Sequence, residues 1–321
     1  MDRRQAIGLG LAGTLLPRTA FGQEHETGYL PGDSQEFIGL WPGTPPGGEG
    51  IHLDLKVADA VQPDGFHVRA VSQIQQPGFF VYRPVKPTGL GMLIIPGGGY
   101  ASEGGDRGGR EIARYFADRG ISSFVLRYRL PGEGWKNREM VPLQDAQRAM
   151  RLIRAGEYGA GRLGVIGFSA GGHLSATLAI RSGMATYDVL TPADRGSARP
   201  DIAAHMYPVI TMGEGAHAGS REKLLGANPT PEAIAAWSLE KHVTADTSPS
   251  FVCLAADDDV VPPAPNGIAF YSQLQDKKVP SQLNVFEKGG HGFSLHWAQG
   301  KPCGAWPQLF LAWAATHGFR A

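Results

Sequence analysis

From about residue 66 onward, short apolar runs alternate with stretches in which apolar residues recur every three or four positions. FHVRAVS (66–72) and GFFVYRPV (78–85) read as strands with no helix between them. GMLIIP (91–96), ISSFVLRYRL (121–130), RLGVIGF (162–168), DIAAHMYPVI (201–210), FVCLAA (251–256) and SQLNVFE (281–287) read as further strands. Helical patterns separate them. REIARYFADRG (110–120) places Ile112, Tyr115 and Phe116 on one face and ends at Gly120. PLQDAQRAMRLIRAG (142–156) opens with Pro142 and closes with Gly156. GGHLSATLAIRSG (171–183), GIAFYSQLQDKK (267–278) and PQLFLAWAATHG (307–318) complete the set. The interval 211–248 is polar and carries two short helical patterns.

Strand–helix alternation from residue 91 to the end predicts an α/β fold: a mostly parallel central sheet with helices on both faces. The first strands lack an intervening helix, which predicts an antiparallel N-terminal edge. Residues 23–63 show no periodicity. LWPGTPPGGEG (40–50) is crowded with proline and glycine, so 23–63 is expected to drape as an extended segment over a domain spanning 64–321.

Residues 1–22 read as an export signal. Arg3 and Arg4 precede an uncharged stretch from Gln5 to Leu16, and Ala20-Phe21-Gly22 offers small residues where a signal peptidase cuts. The weakly apolar, glycine-rich segment behind the pair resembles a twin-arginine signal, with Asp2 where Ser or Thr is usual. It is too short for a stable membrane anchor. The expected location is the periplasm.

Charge changes the picture little: Lys+Arg and Asp+Glu are both 30, so nucleic acid and anionic membrane are not expected partners. Two cysteines make no disulfide framework. Cys253 reads as a small buried hydrophobe and Cys303 as a residue of a late loop, with no pattern that brings them together. Oligomeric state has no signature in the pattern.

In sheets of this kind reactive groups sit beyond the carboxyl ends of the strands. After GVIGF comes Ser169, flanked by Gly167 and Gly171 at the spacing Gly-x-Ser-x-Gly. A serine on a strained strand-to-helix turn stands clear of the backbone, provided its neighbours two positions away lack bulk. Ala170 then offers its N–H at the start of a helix, where negative charge is favoured. After GMLIIP come Gly97-Gly98-Gly99-Tyr100, and Gly98 and Gly99 are candidates for the other half of an oxyanion hole.

After FVCLAA come Asp257, Asp258 and Asp259, any of which could orient a histidine. After SQLNVFE comes KGGHGF, which places His291 between glycines, with His296 five residues later as the fallback. His173 and His205 read as locally packed. Tyr100 and Tyr207, at the ends of their strands, are candidate walls of a substrate pocket, with 211–248 contributing. No metal or organic cofactor is implied.

From about residue 78 to the end the chain resembles the α/β-hydrolase superfamily, and most its bacterial acetyl-esterase branch of acetylxylan-esterase-like and feruloyl-esterase-like proteins. The resemblance rests on IIPGGGY, FVLRYRLP, PLQDAQRAMRLIR, LGVIGFSAGGHLSATL, DDDVVPP and FEKGGHGFSL. The family's acid has the form Asp-x-x-Val-Pro, which here selects Asp258. Pro96 stands where related esterases have the histidine of His-Gly-Gly-Gly. The resemblance implies a serine esterase acting on small or oligosaccharide acetyl esters. Two rivals stand beside it: a peptidase of the same fold, and a non-catalytic carbohydrate-binding relative. The peptidase would need a larger extra domain than the roughly forty residues before the first strand supply.

Overall fold

The computed structural model describes residues 33–320. The export signal expected over residues 1–22 lies outside them.

An eight-stranded sheet runs through the molecule. In chain order its strands are β1 (Phe37–Gly39), β4 (Gly78–Tyr82), β5 (Leu90–Ile95), β7 (Ser122–Arg127), β8 (Arg162–Phe168), β9 (Ala203–Met206), β10 (Ser250–Ala255) and β11 (Ser281–Phe286). In space the order is β1-β4-β7-β5-β8-β9-β10-β11. β1 pairs antiparallel with β4, and β4 antiparallel with β7. From β7 to β11 every pairing is parallel, in agreement with the sequence pattern.

β5 shows why its residues form an unbroken apolar run: both faces are covered. Leu93 and Ile95 face a layer built with α2 (Val141–Ala155) and α3 (Ala170–Arg181). Met92 and Ile94 face the layer of α1 (Glu111–Ala117) and α7 (Trp306–Thr316). The remaining helices are α4 (Ala218–Leu225), α5 (Pro231–Trp237) and α6 (Ala269–Asp276), the first two being the short helices expected within 211–248. Cys253 and Cys303 share the second apolar layer, both buried and unbridged.

The N-terminal segment departs from expectation. Residues 33–63 supply β1 to the central sheet, and β2 (Lys56–Val61) to a second sheet with β3 (His67–Ser72) and β6 (Glu103–Gly104). FHVRAVS is thus a strand, but of this smaller sheet. Nor does the proline-rich stretch merely drape. Leu40 is 1% exposed and Trp41 8%. Arg148 donates to the Leu40 carbonyl, Arg129 to the Pro46 carbonyl, and Trp41 Nε1 to Asp145 at 2.8 Å. Asp145 is itself fully buried and forked to Arg129. A segment without periodicity is therefore fixed by side chains that satisfy its carbonyls from below.

The strand expected over 201–210 is shorter, because Tyr207 takes φ +36° and Pro208 follows, ending the ladder at Met206. The chain leaves β9 there and turns across the top of β8.

Candidate active site

Ser169 joins β8 directly to α3 with φ 56° and ψ −117°, a conformation that strains any residue but glycine. The flanking glycines are steric necessities. A Cβ on Gly167 would stand 2.1 Å from the Gly171 oxygen, and one on Gly171 would stand 2.3 Å from the Ile95 oxygen. The turn is held on both sides. Ser169 N–H donates to the Met206 carbonyl at 3.0 Å, and the Ser169 carbonyl accepts from Gly172 and Val209.

The loop after β5 lies against this turn. A Cβ on Gly97 would meet the Phe168 oxygen at 2.6 Å, so only glycine admits such an approach. Tyr128 Oη donates to the Pro96 carbonyl and helps hold the loop. Gly98 and Gly99 both take positive φ, 134° and 65°. Among the described residues neither N–H donates to a protein acceptor. Ala170 opens α3, so its N–H has no intrahelical partner either. Three free donors thus border the serine.

Asp258 and His291 complete the cluster. His291 Nε2 lies 2.8 Å from Ser169 Oγ, and its Nδ1 lies 2.7 Å from Asp258 Oδ2. The other Asp258 oxygen accepts the N–H groups of Val260 and Val261 at 3.0 and 2.9 Å. With Oδ1 already accepting two N–H groups, the contact with Oδ2 is satisfied when His291 donates from Nδ1. Asp257 points the other way and accepts from Gly289 and Gly290, while Asp259 is exposed. His296, the fallback, is turned to Asp64 at 2.8 Å and stacked on Phe66.

The two tyrosines do not wall a pocket. Tyr100 is 1% exposed and Tyr207 3%. The left-handed conformation of both, φ 60° and 36°, turns their rings inward. Tyr100 Oη meets His173 Nδ1 at 2.8 Å, and His173 Nε2 donates to the Trp237 carbonyl. The tyrosine thus pins the glycine loop to α3 and to the end of α5. Tyr207 packs edge-on against His291, with ring centres 5.0 Å apart, and against Phe293. It backs the imidazole rather than facing a ligand.

Three further side chains border the site without a sequence signal. His217, at the start of α4, lies over Gly99: a Cβ there would be 3.7 Å from its Cε1. Its Nδ1 accepts the Ser220 N–H at 3.1 Å, which leaves the ring proton on Nε2. Burial, then the neighbouring His291, hold its pKa below the ordinary value. Glu111 accepts from Leu295 and His296 and fixes the chain beyond His291. Arg107 packs beside Gly292. Each arrives from a separate element, so only the tertiary fold brings it near.

A family model, BD-FAE, matches residues 81–274, which include Ser169 and Asp258. The chain belongs to the BD-FAE family. Among solved structures, this BD-FAE protein resembles an acetyl ester-xyloside bifunctional hydrolase from Caldicellulosiruptor lactoaceticus. They share 32% identity over 90% of this chain and 98% of that one, with a TM-score of 0.72. The carboxylesterase Cest-2923 from Lactobacillus plantarum, at 23% identity and TM-score 0.63 over 84% and 99% of the chains, shares the fold. Among curated proteins, it is 39% identical over 208 residues to endo-1,4-beta-xylanase B of Butyrivibrio fibrisolvens, covering 64% of this chain and 32% of that protein. It is 30% identical over 222 residues to an acetylxylan esterase of Xylanibacter ruminicola, covering 67% and 43%. The chain thus spans less than half the length of these curated relatives.

Proposed function

We propose that this BD-FAE protein is a serine esterase that removes acetyl groups from carbohydrate, such as acetylated xylan oligosaccharides. The observation that carries the reading is the Ser169 Oγ–His291 Nε2 contact of 2.8 Å on a strained turn, with Asp258 on the far nitrogen. The resemblance to relatives named for xylan and its acetyl esters supplies the substrate class.

Asp258 fixes the tautomer in which Nε2 has a free lone pair. Nε2 takes the Ser169 proton as Oγ attacks the ester carbonyl. The negative oxygen of the tetrahedral intermediate is received by the N–H of Ala170 and of Gly98 or Gly99, donors that need no rearrangement to meet it. His291 returns the proton to the departing sugar hydroxyl, leaving acetyl on Ser169. A water, deprotonated by the same Nε2, then releases acetate. The test is Ser169→Ala, assayed on a chromogenic acetyl ester, acetylated xylo-oligosaccharides and a short peptide. The expected result is release of acetate by the native protein, no peptide cleavage, and a loss of several orders of magnitude in the variant. Residual turnover above a few per cent removes Ser169 from the nucleophile's role.

We also propose that residues 1–22 export the protein to the periplasm by the twin-arginine route. The Arg3-Arg4 pair and the small residues near Gly22 support this. Replacing both arginines by lysine should block export, and N-terminal sequencing should find the mature chain beginning near residue 23. Met1 on the exported, active protein rules it out.

A further inference from the structure

Among the described residues, Arg107 stands apart from Arg110 and Arg114 on the same stretch in having no carboxylate partner. The arginines around it are paired: Arg69 with Asp106 and Asp33, Arg110 with the same two aspartates, and Arg114 with Asp33. Arg107 forms no ion pair and no hydrogen bond among the described residues, although it is half-buried. It is nevertheless held in place. Its guanidinium carbon lies 4.8 Å from the centre of the Trp297 ring, a cation–π seat. On another side it rests on Gly292, where a Cβ would stand only 3.2 Å from Nη1.

The carboxylates near this site are already engaged. Glu111 accepts two backbone N–H groups, Asp258 serves His291 and two N–H groups, and Asp64 serves His296 and the Phe66 N–H. Among the described residues none of them forms an ion pair with Arg107. The result is an oriented guanidinium fork without an ion-pair partner among the described residues, beside the loop that carries His291. Such a fork matches a carboxylate in two-point geometry.

Its position decides which part of a substrate it meets. Gly292 directly follows His291, the group that hands a proton to the leaving alcohol. Gly98 and Gly99 precede Arg107 in the connection from β5 to α1, but the contacts of its guanidinium are with Gly292 and Trp297. Around Arg107 the rim is aromatic and open: Trp297 packs edge-on to Phe66, which the β2–β3 turn brings forward, and both are partly exposed. An aromatic, open rim suits the bulky saccharide rather than a two-carbon acyl group.

We propose that Arg107 recognises a carboxylate on the alcohol half of the ester, so that the favoured substrates are acetylated oligosaccharides bearing a uronic acid. This rests on the esterase reading above and names the substrate class of the same site.

The test compares kcat/KM for an acetylated uronate-bearing oligosaccharide with that for its neutral counterpart. The native protein should prefer the acidic substrate, and the preference should shrink as salt is raised. Arg107→Gln should reduce the acidic-to-neutral ratio about tenfold, and Arg107→Lys, which keeps the charge but loses the fork, by less. A chromogenic hemisuccinate, with its carboxylate on the acyl side, should show a much smaller Arg107 effect. A ratio unchanged in Arg107→Gln, a native preference that ignores salt, or an effect seen only with the hemisuccinate overturns the proposal. A native protein that releases acetate from none of these substrates overturns the esterase reading itself.

Discussion

Asp257 and Asp258, adjacent in the chain, grip the same histidine loop from opposite sides. Asp258 bonds the His291 ring at 2.7 Å, and Asp257 accepts the N–H groups of Gly289 and Gly290 at 2.9 and 2.8 Å. Both lie in the turn that follows β10, which sends one carboxylate to the His291 ring and the other to the Gly289–Gly290 backbone. The backbone bonds from Gly290 hold the Asp257 carboxyl below the usual carboxylate range.

The two aspartates should therefore fail differently when replaced. Asp258→Asn keeps the size but changes the bond that sets the histidine tautomer, and should lower ester turnover on the order of 10⁴. Asp257→Asn retains an acceptor oxygen and should cost far less. Asp257→Ala, which frees both N–H groups, should fall between them through a loosened loop. Turnover with thermal melting checks the order. Asp257→Asn as inactive as Asp258→Asn would reverse the assignment of the acid.

Glycine substitutions separate steric need from conformational need. Gly167→Ala drives a methyl to 2.1 Å from a backbone oxygen inside the elbow, and the neighbours cannot yield. A loss of more than about 3 kcal/mol, or no folded protein, is expected. Gly99→Ala meets nothing closer than 3.7 Å, but must hold φ at +65°. It should remain folded, less stable by roughly 1–2 kcal/mol. Because its methyl points at His217 beside the glycine loop that borders Ser169, ester turnover should fall as well. Denaturant unfolding of both variants distinguishes the two costs, and equal losses would show that the elbow tolerates bulk.

The clustering of Ser169, Asp258 and His291 at the strand ends was legible because each is tied to an element that periodicity reveals. β8 aims Ser169, β10 aims Asp258, and the loop after β11 carries His291. What escaped is tertiary. β1 forms because Ile38 and its neighbours find the register of β4, a partner forty residues away that no local pattern announces. β2 likewise takes its register from β3. Tyr100 and Tyr207 were placed at the correct strand ends but faced the wrong way. Side-chain direction follows simple alternation only while the backbone stays extended, and both residues have left it. Arg107 and His217 gave no signal, since an unpaired charge is visible only once every possible partner has a position.

Two buried histidines make acid stability a further test. His173 and His205 are both fully buried, and burial pushes their pKa values down to about 4 and about 3. In the unfolded chain both titrate near 6.5. Between those values the unfolded chain binds protons that the folded one excludes at these two sites, so their contribution to stability falls as pH falls. His173 couples this to the site. Its Nε2–H is committed to the Trp237 carbonyl, and its Nδ1 accepts from Tyr100 Oη. A proton on Nδ1 would break the second bond and release the glycine loop. Between pH 7.5 and 5 these two imidazoles alone should lower the unfolding free energy on the order of 2–4 kcal/mol, while Glu103, Glu111 and Glu133, whose carboxyl pKa values burial raises, act in the opposite direction. Urea titrations across that range measure the slope. His205→Gln should remove part of it, although the variant starts from a lower stability at pH 7.5. A slope between pH 7.5 and 5 that is the same in the native protein and in His205→Gln would mean that His205 is already protonated, or exposed, in the folded protein.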